Sequence, residues 1–285
     1  MPNMKCYLCN SDESRVRNGQ VRDAPELAIL ECAECGLVTL SSFEHMQPGF
    51  YEKSGMHGDE PIPMDAWLKM TERDDQRRYE MLRAQMANKK VLDFGCGAGG
   101  FLMKAQHCAE KVAGIEPELR VQAHWQDKLT IYPGVEFSGG GYDLITAFHV
   151  VEHLPDPVAM LSTLAAKLAV NGRMVIEVPN SDDALLPLFD CAPFQSFTYW
   201  SQHLFLFNAE TLRMLCKRTG LGITSIQQYQ RYPLSNHLHW LSQGKPGGHQ
   251  RWVFLDSTEL TAAYSGALAA IGKCDTLIAH LELAQ

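Results

Sequence analysis

The sequence predicts a doubly wound α/β protein with a mostly parallel sheet, a small N-terminal zinc ribbon and C-terminal helices. Three observations carry that prediction. Short apolar strands alternate with amphipathic helices from residue 89 onward. A glycine turn joins the first of those strands to a helix, and two C-x-x-C pairs precede them all. The 285 residues divide into a module over residues 1–43, a linker or flap over 44–64, a core over 65–230, and a recognition insert with terminal helices over 231–285.

Composition sets the frame. The chain is 46% hydrophobic and 20% charged, enough for a real core and inconsistent with disorder. Its formal net charge of -8 is opposite in sign to a surface that grips phosphate backbones, so nucleic acid is a disfavoured partner. No run of apolar residues is long enough to span a membrane, and the start MPNMKCYLC lacks a secretory apolar core, which places the protein in the cytoplasm.

The four clustered cysteines are Cys6, Cys9, Cys32 and Cys35, two knuckles separated by 22 residues. Each knuckle aims two thiolates at one ion, and two knuckles supply a closed tetrahedral zinc site of structural type. A redox dithiol beside an incidental pair is the competing reading, but redox pairs come singly after a strand of a thioredoxin-like unit. Residues 44–63 follow, rich in Gly, Pro, His and Met, with Pro48, Gly49, Gly55, Gly58, Pro61 and Pro63 marking a linker or flap. Residues 65–86 are a helix whose expected inward positions are Trp67, Met70, Tyr79, Leu82 and Met86.

The strand over residues 89–94 enters Gly95-Cys-Gly-Ala-Gly-Gly100, and a helix follows over 101–108. This strand, turn and helix form a nucleotide-type site, with glycines that admit a ligand to the backbone and free N–H groups at the helix start. The next strand, 111–115, ends at Glu116, an acid placed to accept both hydroxyls of a ribose. Residues 142–148 are a third strand, 157–169 an amphipathic helix, and 173–178 a buried strand behind an Asn171-Gly172 turn. Gly95, Gly97 and Gly100 also satisfy the dinucleotide fingerprint, so an NAD(P) oxidoreductase is a rival. Against it stands Asp93, a carboxylate where a dinucleotide fold keeps an apolar residue; an acid there organises the turn and meets a ligand ammonium.

Val91-Leu-Asp-Phe-Gly-Cys-Gly-Ala-Gly-Gly100, Ala113-Gly-Ile-Glu-Pro117, Tyr142-Asp-Leu-Ile, Glu152-His-Leu-Pro-Asp-Pro157 and the run from Asn171 to Asn180 together resemble the class I S-adenosylmethionine-dependent methyltransferases. The resemblance covers roughly residues 89–220 and implies a Rossmann-like, seven-stranded sheet. The run from His203 to Leu212 is similar to a segment of the subgroup that methylates sugars and other small metabolites, some members of which carry a cysteine zinc module. The resemblance implies that Asp93, Gly95, Cys96, Gly97 and Gly99 surround the methionine part of the cofactor, that Glu116 binds the ribose, and that Phe148 and His149 lie beside it. The family's adenine-binding acid has no clear counterpart here; Glu136 is the nearest candidate.

In such sheets the ligand sits beyond the strand ends at the point where strand order reverses, so His149, Glu152 and His153 are placed to meet an acceptor. Methyl transfer needs an aligned nucleophile and a base, and a histidine suits the base. The competing view has Glu152 and His153 merely cap the following helix. His149-Val-Val-Glu-His153 also spells a metalloprotease-like string, which requires a continuous helix that Pro155 and Pro157 argue against.

Residues 208–220 predict a helix and 223–229 a strand; aromatic residues crowd 185–207 and read first as core or lid packing. The polar insert after residue 231 reads as a recognition loop in which Arg231, Lys245 and Arg251 either bind a phosphate or carboxylate, as on a nucleotide-linked sugar, or are plain solvated charges. His237 and His239 alternate as on a strand face but have no further ligands to make a metal site, and the candidate substrate residues are His203, Arg231, His237 and Lys245. Residues 258–283 predict one or two helices packed on the domain or across a homodimer.

The expected function is S-adenosylmethionine-dependent methylation, preferably O-methylation, of a small sugar-like or glycan-precursor acceptor in carbohydrate biosynthesis. An rRNA methyltransferase with a zinc module, the oxidoreductase, and a non-catalytic cofactor-binding module are the alternatives.

Overall fold

The computed structural model describes residues 5–46, 49–52 and 61–283. Pro48, Gly55 and Gly58 of the expected flap lie outside them. Three short strands open the chain, β1 (Ser14–Val16), β2 (Ile29–Cys32) and β3 (Val38–Leu40), antiparallel throughout. They are too small to bury a core of their own. Helix α1 (Met64–Met86) then leads into strand β4 (Lys90–Phe94), helix α2 (Gly100–Ala105), β5 (Lys111–Ile115), α3 (Leu119–Trp125) and β6 (Thr130–Tyr132). β7 (Tyr142–Phe148), α4 (Pro157–Ala165), β8 (Leu168–Pro179) and α5 (Ala192–Thr198) follow. The last third contains β9 (Phe205–Leu206), α6 (Ala209–Arg218), β10 (Leu221–Tyr229), α7 (Leu234–Gln243), α8 (Gly248–Arg251), α9 (Thr258–Ala270) and β11 (Thr276–Leu283).

Seven strands form one sheet in the order β10-β11-β8-β7-β4-β5-β6. β11 alone runs against the direction of the other six strands, so the sheet is mostly parallel, as expected. From β4 the chain builds outward through β5 and β6 on one side and through β7 and β8 on the other, which makes the β4/β7 junction the point of reversal.

Period-two alternation gives each strand two faces. Leu92, Met174, Ile176 and Val178 pack with Leu161 of α4 and Leu212 of α6, whereas Val91 and Val175 pack with Leu82 and Met86 of α1 and with Phe101 of α2. Asp93 and Glu177 share the second face by the same alternation, so both carboxylates point toward α1.

Several expectations are corrected. In α1, Met70 is exposed, and Asp75 and Arg78 are buried in its stead, because that helix covers a charged strand edge rather than a purely apolar one. The strand expected after an Asn171-Gly172 turn runs through it, with Asn171 at φ 64 and a register shift against β7. The recognition loop is helical: His237 and His239 lie on α7, where alternate residues diverge, not on a strand face. Of the terminal helices, one forms as α9, while residues 276–283 are the strand β11, inserted between β8 and β10. Among the described residues no helix is long and apolar enough to cross a membrane.

Candidate active site and cysteine cluster

The four cysteines converge. Cys6 Sγ lies 3.5 Å from Cys35 Sγ, Cys9 Sγ lies 3.5 Å from Cys32 Sγ, and all four sulfurs fall within 4.8 Å of one another. Sulfurs about 2.3 Å from a tetrahedral centre stand roughly 3.8 Å apart, so the donor set and its spacing fit a closed zinc site with no position for substrate.

The module is fastened to the core. β3 pairs with β9, Val38 opposite Leu206 and Thr39 opposite Phe205. Tyr7 donates its hydroxyl hydrogen to Asp156, the residue that caps α4, and its ring packs 5.1 Å from that of Phe205. Arg22 stacks 4.5 Å over Trp200, and a ring nitrogen of His45 meets the Ser201 carbonyl at 2.6 Å. The module thereby holds residues 200–206 in place.

At the reversal point a cavity of about 750 Å³ opens beyond the strand ends. Its floor is the turn after β4. Gly95 sits at φ 69, and a Cβ there would stand 2.4 Å from Val150, so only glycine fits. Gly97, at φ 50, donates its N–H to Glu116 Oε2 at 3.0 Å, and Glu118 donates to Glu116 Oε1 at 3.1 Å. Each Glu116 oxygen is thus held by one backbone hydrogen and keeps a lone pair for a ligand. Burial pushes the Glu116 carboxyl up to about 7, against the pull of those two N–H groups. Asp93 is likewise raised to about 7 by burial, with a 2.7 Å hydrogen bond from Thr146 opposing the shift.

Asp93, Gly95, Cys96, Gly97, Glu116, Phe148, His149, His153, Arg231 and Glu136 all border this cavity. These ten of the expected residues are therefore brought together in one place. Glu152 and His203 lie just behind His153, and Gly99 caps α2. His237 instead meets the Tyr264 hydroxyl at 2.6 Å, and the Lys245 carbonyl meets a ring nitrogen of His239 at 2.7 Å; neither His237 nor Lys245 borders the cavity.

His149 carries a left-handed φ of 55, which turns its ring back from the end of β7. The ring sits between two carboxylates, Nδ1 3.2 Å from Glu152 and Nε2 3.2 Å from Glu177, with Arg231 3.1 Å from Nε2. Burial and Arg231 oppose its protonation, but the two carboxylates prevail and raise its pKa. Glu177 is fully buried; burial disfavours its charge, yet Arg78, His149 and Arg77 hold it well below its ordinary value. Arg77 and Arg78 approach it at 2.8 and 2.7 Å, and Asp74 pairs with Arg231. After His149 the chain makes a single 3-10 turn, Val151–His153, so the metalloprotease-like string lacks the helix it requires.

Tyr51, Asp74, Arg78 and Glu177 were not among the residues expected at the site. Tyr51 borders the cavity with its hydroxyl buried and without a hydrogen-bond partner among the described residues. The only local hint was the charge density of residues 72–78 within an otherwise amphipathic helix.

A profile of the methyltransferase domain family matches residues 69–226, more than half of the chain. Among curated proteins, the ubiquinone biosynthesis O-methyltransferase of Marinobacter nauticus is 26% identical over 113 residues, 34% of this chain and 47% of its own length. The chain thus spans about half the length of the curated relatives it matches. Among solved structures, a SAM-dependent methyltransferase from Archaeoglobus fulgidus aligns with TM-score 0.50 and 18% identity over 74% of this chain and 94% of that one. The magnesium protoporphyrin IX methyltransferase of Synechocystis PCC 6803, with bound SAH, aligns with TM-score 0.51 and 15% identity over 85% of this chain and 100% of that one. At these identities the two structures establish a shared fold.

Proposed function

The chain belongs to the methyltransferase domain family, and on that premise we propose that it transfers a methyl group from S-adenosylmethionine to an oxygen of a small, sugar-like or glycan-precursor acceptor. The observation that carries this reading is the cavity at the β4/β7 reversal, which joins a cofactor half to an acceptor half. In the cofactor half, Glu116 takes the ribose hydroxyls on its two free lone pairs, and the ionised Asp93 faces the ammonium of the methionine part. Gly95, Cys96, Gly97 and Gly99 shape the turn that the methionine part follows, and Phe148 packs beside it. Glu136 is the candidate partner of the adenine amine.

The acceptor half is built from Tyr51, His149, Glu152, His153, His203 and Arg231. Its polar character supports a hydroxyl-bearing acceptor, as does the O-methyltransferase name of the curated relatives. The sulfonium is already a good leaving group, so the protein's task is to align the acceptor oxygen and take its proton. We assign that task to the Glu152–His153–His203 constellation, with His149 holding Glu152 in place. Zinc on Cys6, Cys9, Cys32 and Cys35 would stabilise the N-terminal module of residues 1–43, and through β3 and β9 the position of His203.

The test is methyl transfer from isotope-labelled S-adenosylmethionine to a panel of sugar nucleotides and hydroxylated small molecules. The proposal predicts label in at least one such acceptor with stoichiometric S-adenosylhomocysteine. Label incorporated into rRNA alone would replace it with the RNA-directed alternative.

A further inference from the structure

Behind His153 lies a second cluster of metal-ligating side chains, unlike the first in chemistry. Glu152, His153 and His203 each offer one ligand atom, and the three atoms lie within 4.8 Å of one another. Glu152 and His153 arrive on the turn after β7, and His203 on the segment that the N-terminal module clamps. The ring centroids of the two histidines are 5.1 Å apart.

The hydrogen bonds around the cluster fix what each group presents. His153 Nδ1 lies 2.8 Å from the Gln202 carbonyl, and His203 Nδ1 lies 3.1 Å from the Thr198 carbonyl. A carbonyl only accepts, so both Nδ1 atoms carry the hydrogen and both Nε2 atoms offer a lone pair. Imidazoles that bind metal are held by this kind of outer contact. Glu152 completes the set. Its side chain is 1% exposed, Oε1 faces His149, and Oε2 is buried with no hydrogen-bond partner among the described residues. A bare buried carboxylate oxygen costs free energy that a cation would recover.

We propose that Glu152, His153 and His203 bind one divalent transition-metal ion at the acceptor end of the cavity. Two imidazoles and one carboxylate select a borderline ion such as Zn2+, Fe2+ or Co2+ over Ca2+. Three protein ligands leave positions open, and because His153 borders the cavity those positions are reachable by an acceptor oxygen. Trp200, with its ring 6.1 Å from His153 and 5.6 Å from His203, walls one side. The use of the ion rests on the methyl-transfer reading, although its binding does not. With the ion in place, the Glu152–His153–His203 set would remove the acceptor's proton through the metal and not directly: an acceptor hydroxyl at an open position would give its proton to water, and the resulting oxyanion would attack the methyl carbon. An O–C bond forms as the C–S bond breaks, and the electron pair stays on sulfur to give neutral S-adenosylhomocysteine.

The experiment is titration of the full-length, zinc-replete protein with Co2+, followed by visible absorption and metal analysis. We expect one equivalent of Co2+ beyond the zinc, with ligand-field bands and no thiolate charge-transfer band. Glu152→Gln and His203→Asn should each weaken that binding about tenfold or more while zinc content is unchanged. Absence of a second equivalent in the wild type, a thiolate band, or undiminished binding in both variants would overturn the proposal. Should a variant fail to fold, the wild-type stoichiometry and spectrum decide. S-adenosylhomocysteine titration of the same samples scores the methyl-transfer reading separately, since its failure leaves the Co2+ result standing.

Discussion

Replacing Glu116 by Gln isolates the contact on which cofactor recognition most depends. The wild-type carboxylate receives N–H bonds from Gly97 and Glu118, one on each oxygen, and keeps one lone pair per oxygen for the ribose. An amide turns one oxygen into a donor that confronts a backbone N–H, and removes the charge from the other. Hydrogen bonds to charged groups contribute about 1.5–3 kcal/mol each. Losing one and weakening the other amounts to about 3 kcal/mol, or roughly a 100-fold rise in Kd. Calorimetric titration with S-adenosylhomocysteine measures it, with the unfolding transition of both proteins as a control for the fold. A Glu116→Gln variant that folds and binds within about threefold of wild type would refute the assignment of Glu116 to the ribose.

Other consequences are open to direct measurement. Burial raises Asp93 and Glu116 to about 7 in the free protein, and the ligand's ammonium and hydroxyls favour their ionised forms. Binding should therefore release protons near neutrality, and affinity should rise from pH 6 to 8 and then level; calorimetry in buffers of different ionisation enthalpy detects this, and a flat profile contradicts it. Glu177→Gln leaves Arg77 and Arg78 buried beside a neutral partner, a loss of about 3–5 kcal/mol that lowers Tm by about 10 °C. A change in Tm of under about 2 °C in thermal denaturation would show that the pair of guanidiniums finds compensation elsewhere. Cys32→Ser should abolish stoichiometric zinc and lower Tm, and it should reduce acceptor methylation more than S-adenosylhomocysteine binding, because β9 and His203 lose their brace while the β4 turn does not.

What the sequence disclosed depended on how local the signal was. The turn from β4 into α2 and the acid at the tip of β5 fall within some 30 residues, and their order is itself the pattern, so the place of Asp93, Gly97 and Glu116 at the cavity was legible in the chain alone. The cysteine knuckles were legible because metal geometry restricts their spacing. Residues 276–283 misled because Leu277, Ile278, Ala279 and Leu281 are buried as a near-continuous apolar run, which suits a central strand and a packed helix alike. The segment holding His237 and His239 is helical between Pro233, at the N-cap position, and Gly244, left-handed at the C-cap; its polar composition masked both signals. Tyr51, Asp74, Arg78 and Glu177 meet the site from elements far apart in the chain, and nothing in their neighbourhoods announces a shared destination.

The central claim is that the glycine turn, Asp93 and Glu116 form a pocket for S-adenosylmethionine and not for a dinucleotide. Calorimetric titration of the zinc-replete protein with S-adenosylmethionine, S-adenosylhomocysteine and NADH tests it directly. The account predicts one equivalent of each of the first two and no response to NADH. Saturable binding of NADH with silence toward both sulfur ligands would contradict it and return the chain to the oxidoreductase reading.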